Sequence, residues 1–175
     1  MAKASGLPLG HFIAACNAND VVTRYLATEK YEIHKAIATV SNAMDVGNPS
    51  NFVRIMEIMQ NNFNQLKNAL SSYSYDDITT QATITRVFND YGYTLDPHGA
   101  VAFLAAEAFL QDHANQQAII LETAHPVKFP EVVEEAIGQK LAIPASVQYL
   151  LDKPKHSIPL AADYAAFKLW MLGRL

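Results

Sequence analysis

An α/β fold, rich in helix and built on a small parallel sheet flanked by helices, is predicted by three features of the sequence. Apolar residues recur at threes and fours along much of the chain, which is the period of a helix that buries one face. Two short runs, HFIAAC at 11–16 and QQAIILETA at 116–124, gather their apolar residues without alternation, as strands buried on both faces do. Each run leaves directly into polar residues: Asn17, Asn19 and Asp20 in the first case, Thr123, His125 and Lys128 in the second. Ligands usually bind at such strand ends in α/β sheets, because carbonyls, amides and the N-terminus of the following helix converge there.

HFIAAC reads as a buried strand that enters a polar turn, and Asp20 or Asn19 then caps a helix whose face is Val21, Val22, Tyr25 and Leu26. The stretch TVSNAMDVGNPSNF, 39–52, is dense in Asn, Ser, Gly and Pro and has loop chemistry. Pro49 and Ser50 lead into 51–70, where Phe52, Ile55, Met56, Met59, Phe63, Leu66 and Leu70 predict one long amphipathic helix. A further helix begins after Asp76 or Asp77 and stops at Gly92. In LDPHGAVAFLAAEAFLQDH, Asp96 stands as cap and Pro97 in the first turn of a helix apolar enough to be buried on most sides. The second strand, 116–124, follows, and FPEVVEEAIG, ASVQYLLDK and ADYAAFKLWML form three more helices. Two strands make a sheet too small to stand alone, so the pattern predicts that further strands belong beside it.

Composition narrows the function. A chain of 175 residues, 50% apolar and 17% charged, with mean hydropathy +0.02, describes one ordinary folded domain with a real core. The net charge of −4 forms no basic stripe, which argues against nucleic acid as a partner. No segment approaches eighteen uninterrupted apolar residues, which argues against a membrane span, and the N-terminus lacks the form of a secretory signal. One cysteine, Cys16, excludes an internal disulfide framework, fits a reducing cytoplasm and reads as a small buried apolar residue.

The common metal, phosphate-loop and serine-hydrolase motifs do not occur, and the six histidines are scattered with no pair at helical metal-ligand spacing. No metal site is therefore expected. Asp96 with His98 or His125 has the residue types of an acid–base pair, while a capping aspartate and a surface histidine account for the same residues. The polar clusters at 17–20, 41–51, 96–98 and 123–128 all lie at ends of predicted elements. In a wound α/β fold several such ends meet at one crevice, which points to a small-molecule site lined by Asn17, Asn19, Asp20, Asp96, His98, His125 and Lys128.

Five blocks carry a resemblance: GLPLGHFIAACNANDVVTRYL, ATVSNAMDVGNPSNFVRI, LDPHGAVAFLA, LETAHPVKFPEVVEEA and DYAAFKLWML. In that order they resemble the C-terminal part of the threonine synthase family, pyridoxal-phosphate enzymes of the tryptophan-synthase-β fold type, and the TAHPVKF block is the most specific. The resemblance covers nearly the whole chain. It implies a partial three-layer α/β/α domain of a fold-type II enzyme and a parent that converts O-phospho-L-homoserine and water into L-threonine and phosphate. The cofactor acts as electron sink while the protein supplies orientation and proton transfers. Thr123 matches the family's threonine at a strand end that hydrogen-bonds the pyridine nitrogen. A neutral hydroxyl there, unlike a carboxylate, does not favour a protonated ring nitrogen, which restrains delocalisation into the ring and suits β,γ-replacement.

Departures from the family matter as much. The family's Schiff-base lysine and its Gly- and Asn-rich phosphate loop lie ahead of the GLP turn, where this chain begins. Lys3 sits in no such motif and Lys128 belongs to TAHPVKF, so no catalytic residue is assigned within residues 1–175. Val53 stands where the family often has glutamate after SNF. The resemblance thus predicts one C-terminal portion, inactive alone, without stably bound pyridoxal phosphate, and self-associating through an apolar face. Two other readings stay open: a threonine-synthase-like phospholyase acting on a related phosphorylated amino acid, and a non-catalytic binding or interaction module.

Overall fold

A computed structural model describes residue 3 and residues 5–150 and 153–173, and its contacts divide the chain into two compact units, Met1–Ala142 and Ile143–Leu175. In the first unit the order is β1 (Phe12–Cys16), α1 (Val21–Thr28), a 3-10 turn (Asn42–Met44), α2 (Phe52–Ile58), α3 (Phe63–Ala69), β2 (Leu70–Ser74), α4 (Asp77–Tyr91), α5 (Pro97–Gln111), a second 3-10 turn (Pro126–Lys128) and α6 (Pro130–Ile137). The second unit carries α7 (Ala145–Gln148) and α8 (Tyr164–Leu172), the latter capped by the Asp163 carboxylate on the Ala166 N–H.

β1 and β2 pair in parallel from Phe12 opposite Leu70 to Cys16 opposite Ser74. The fold class is as the sequence predicts, a helix-rich α/β arrangement on a small parallel sheet, but the second strand is a different one. Residues 116–123 form no strand: they run without helix or ladder, and Ile119 and Leu121 are 78% and 76% exposed. A strand is defined by ladder hydrogen bonds to a neighbour, and no described strand lies beside this segment to supply them. LSSYS takes the place instead, although its polar residues hide it at the end of a helical pattern. Ser72 Oγ donates to the Ala14 carbonyl at 2.9 Å and shares a hydrogen bond with Thr23 Oγ1 at 2.8 Å, so the strand's hydroxyls find partners within the fold.

The long helix expected over 51–70 is also interrupted. Gln60 and Asn61 take φ of +53°, and the Asn62 side chain accepts the Gln65 N–H at 3.0 Å to start α3 afresh. Asparagine tolerates the left-handed region and caps helices, so the Gln-Asn-Asn stretch ends one helix and begins another. The apolar stripe nonetheless serves one core, in which Phe52, Leu66 and Leu70 join Tyr25 and Leu26, with Met56, Met59 and Phe63 packed against them.

A second core joins Ile84 and Val87 of α4, Leu95, Ala100 of α5 and Val133 of α6. α4 starts and stops where predicted: the Asp76 carboxylate accepts the Thr79 N–H at 2.8 Å, and Gly92 closes the helix at φ +66°. α5 packs on α4, β1 and β2, and its first turn holds Pro97 behind the Asp96 cap, whose side chain accepts from the His98 and Gly99 amides. A helix covered on several sides is what its nearly all-apolar sequence requires.

Candidate active site

The carboxyl ends of β1 and β2 point to one edge of the sheet, because the strands are parallel and in register. β1 delivers Asn17 there, and β2 delivers Tyr75, whose N–H donates to the Cys16 carbonyl at 3.0 Å, followed by the Asp76 cap and Asp77 of α4.

Asn17, 1% exposed, organises the loop that follows α1. Its Nδ2 lies 2.8 Å from Thr39 Oγ1, 3.1 Å from Ser41 Oγ and 2.9 Å from Asp45 Oδ1, and its Oδ1 accepts the Asn19 N–H at 2.9 Å. Asn19 clasps the Ile37 backbone in both directions, Nδ2 donating to its carbonyl and Oδ1 accepting its N–H, each at 2.8 Å. Asp45 accepts the Thr39 hydroxyl at 2.7 Å and the Thr39 N–H at 3.0 Å. A buried polar network this well satisfied fixes a loop in one conformation. The loop is tied to α4 as well, since the Val40 N–H donates to Asp77 Oδ1 at 3.1 Å.

A second cluster stands at the N-terminus of α5. Asp96 is fully buried and His98 is 8% exposed. The Ala43 N–H donates to His98 Nε2 at 3.1 Å, so that nitrogen carries a lone pair, and Nδ1 carries the proton it gives to Asp96 Oδ1 at 2.6 Å. The ring is thereby held by two partners, one on each nitrogen. Its ring packs against Phe129, centroids 4.8 Å apart. His98 thus joins the loop at Ala43 to the segment that opens α6.

Glu122 completes this cluster. The Asp96 N–H reaches Glu122 Oε1 at 3.4 Å, and a Cβ on Gly99 would fall 2.1 Å from Glu122 Oε2. Glu122 as a whole is an exposed residue, yet its carboxyl end lies against Gly99 and Asp96, and the surroundings of that end set its acidity. Burial first, then the hydrogen bond and charge of the Asp96 carboxylate, push its pKa up to about 7.

Between these clusters lies a cleft of about 500 Å³, lined by residues 38–40 and 42 of the loop, by Asp77 and by Lys128 to Val132. A cleft lined by one lysine, two acidic residues and a fixed loop has the makings of a site for a small polar ligand.

The residues singled out from sequence do not gather at one place. Asn17 and Asn19 belong to the loop network, and Asp96 and His98 to the cluster behind the cleft. Lys128 lines the cleft itself. Asp20 and His125 stand apart from all of these: Asp20 pairs with Arg24 at 2.9 Å and faces His34, and His125 Nδ1 accepts the Val127 N–H at 3.1 Å within its own turn. Thr123 is exposed, and its hydroxyl makes no hydrogen bond among the described residues. Thr39, Ser41, Asp45, Asp77 and Glu122 are not singled out by the sequence as site residues, Asp77 being marked only as a helix start. Their one signal was position, inside the loop-forming stretch, after the second true strand, or beside Thr123. Among the described residues no group of three or more metal-ligating side chains could hold an ion, and no helix is long and apolar enough to cross a membrane.

Comparisons with known proteins agree on one family. The model of the threonine synthase C-terminal region matches residues 99–170. The threonine synthase of Escherichia coli strain K12 is 41% identical over 175 residues, an alignment that takes in 99% of this chain and 40% of that enzyme. The crystal structure of threonine synthase from Escherichia coli superposes with a TM-score of 0.85 at 39% identity, over 99% of this chain and 40% of that one. A pyridoxal-phosphate-bound threonine synthase from Brucella melitensis gives 0.74 at 28% identity, over 88% of this chain and 38% of its own. The chain spans about 40% of the length of the curated relatives it matches.

Proposed function

We propose, on the premise that this chain belongs to the threonine synthase family, that it works as the C-terminal portion of a pyridoxal-phosphate enzyme converting O-phospho-L-homoserine and water into L-threonine and phosphate. The observation that carries the reading is the extent of the likeness: sequence identity and fold agree over 99% of the chain with one and the same enzyme. Residues 1–175 then act as one C-terminal portion of a longer cytoplasmic protein, and the cofactor's lysine and phosphate cradle come from sequence outside it.

What these residues would do follows from their chemistry. Thr123 offers an unpaired hydroxyl, and a neutral hydroxyl suits the pyridine nitrogen of the cofactor, so the residues present fit that group. The cofactor supplies the electron sink for carbanion chemistry at the substrate's α and β carbons. Lys128, Asp77 and Glu131 line the cleft, a mixture of charges suited to a substrate that carries both an amino group and anionic groups, and the Asn17–Asp45 network holds the loop wall in place. His98 and Asp96 set the spacing between that wall and Phe129. Asp20 and His125 lie at the margins of this arrangement. The isolated chain lacks a lysine in the family's position and is inactive and free of stably bound cofactor on this reading. It self-associates through the face that Ile119 and Leu121 leave open.

The reading is tested by replacing the corresponding C-terminal 40% of the Escherichia coli enzyme with this chain and expressing the chimaera in a strain lacking threonine synthase. Growth without threonine supports it. Absence of growth, with the chimaera present in the soluble fraction and loaded with cofactor, refutes it.

A further inference from the structure

We propose that Glu122 is a positioning residue whose carboxyl group, docked on the N-terminus of α5 beside Asp96, sets where Thr123 stands. The inference rests on the reading in which Thr123 faces the cofactor ring, and it concerns what holds that residue there. Segment 116–123 has no ladder hydrogen bonds, so its backbone alone does not fix its position. Glu122 provides an attachment next door to Thr123. Its Oε1 accepts the Asp96 N–H, and its Oε2 occupies the space above Gly99 that any other residue's Cβ would fill. A carboxyl group at the start of a fifteen-residue helix also meets the positive end of the helix dipole.

Burial and the neighbouring Asp96 carboxylate both favour the protonated form of Glu122. Among the described residues, the titratable groups facing Glu122 from α5 are Asp96 and, bonded to Asp96, His98. The same Asp96 that docks Glu122 therefore accepts the His98 Nδ1–H, and through His98 and Ala43 it reaches the loop wall of the cleft. One buried aspartate links the segment bearing Thr123 to the opposite side of the site. When Glu122 ionises, the Asp96 carboxylate repels its new charge while the Asp96 N–H still holds Oε1, and Thr123 shifts as the carboxyl group resettles.

Carboxyl and methyl NMR of the 175-residue chain through a pH titration tests this directly. The expected result is a Glu122 carboxyl that titrates near neutrality, with the Thr123 amide and methyl signals moving at the same midpoint. In Asp96→Asn the charge beside Glu122 is removed, so the Glu122 midpoint falls toward the ordinary glutamate value of 4.5 and Thr123 no longer moves near neutrality. Gly99→Ala drives the carboxyl from its seat, lowering the Glu122 midpoint and displacing the Thr123 signals at every pH. The proposal is overturned if Thr123 is insensitive to Glu122 ionisation in the unsubstituted chain, or if Glu122 titrates there as an ordinary glutamate. Those readouts need no variant to fold. They are also independent of turnover, so a chimaera that makes no threonine would refute the function without touching this result, and the reverse holds.

Discussion

His98 stands between two fixed partners, with Asp96 Oδ1 2.6 Å from its Nδ1 and the Ala43 N–H 3.1 Å from its Nε2. Neither ring nitrogen is free to exchange a proton with a ligand, and the ring is nearly buried against Phe129. The pair that looks like an acid and a base in the sequence is a bracket in the structure. His98→Ala would leave the Ala43 amide unpaired and take one of three donors from the Asp96 carboxylate, which keeps the amides of residues 98 and 99, and a lost hydrogen bond to a charged group costs about 1–3 kcal/mol. Urea unfolding of the chain should show a loss of that order. A loss below about 0.5 kcal/mol, typical of an unconstrained surface position, would contradict the bracket.

Glu122 gives the chain a pH dependence whose sign is fixed. Its pKa rises from the ordinary 4.5 to about 7 on folding, so between those values the folded state binds more proton than the unfolded state. The stabilisation is fully present below about 4.5 and is lost as the pH climbs through about 7. In Glu122→Gln the side chain stays neutral, and this contribution should vanish. Subtracting the unfolding midpoint of the variant from that of the unsubstituted chain across pH 4 to 8 isolates the effect of Glu122 and its coupling to Asp96, because titrations elsewhere cancel. A difference that stays flat, or grows with pH, would contradict the assignment.

The fold class could be read from the sequence because the helical stripes at Phe52–Leu70 and the caps at Asp76, Asp96 and Gly92 are local signals, decided by residues within a few positions of one another. The second strand could not. LSSYS has no apolar alternation and becomes a strand because Phe12–Cys16 lies alongside, while AIILE has the intrinsic features of a strand and no strand beside it among the described residues. Pairing is a tertiary fact. The site shows the same division: Asp96 announced itself as a helix cap, but its second duty toward Glu122, twenty-six residues away, depends on Gly99 leaving room for a carboxylate. The Asn17 network was visible as a polar cluster, whereas its partners Thr39, Ser41 and Asp45 were hidden in a stretch where every residue has loop chemistry.

Thr123→Val in the full-length enzyme keeps the shape of the side chain and removes its hydroxyl. A neutral hydrogen bond has a net worth of about 0.5–1.5 kcal/mol, which corresponds to a fall in turnover of about 2- to 12-fold if the bond matters at the transition state. Turnover should fall more than cofactor occupancy, measured by absorbance after dialysis. Unchanged threonine production would refute the contact with the ring nitrogen.

Ile119 and Leu121, both largely exposed on a segment without ladder hydrogen bonds, should make the isolated chain associate at micromolar concentration. Light scattering is expected to show oligomers, and the double variant Ile119→Ser, Leu121→Ser should shift them toward monomer. A monodisperse monomer of the unsubstituted chain, with no binding of a hydrophobic dye, would show that the face is not an adhesive one.

The most direct measurement of the proposed function is the product balance of an enzyme completed by this chain, supplied with pyridoxal phosphate and O-phospho-L-homoserine. Threonine synthase chemistry exchanges phosphate for water, so phosphate and L-threonine should accumulate in equal amounts with no keto acid. Phosphate release accompanied by a keto acid, with no threonine, would contradict the account and assign the chain to a phospholyase instead.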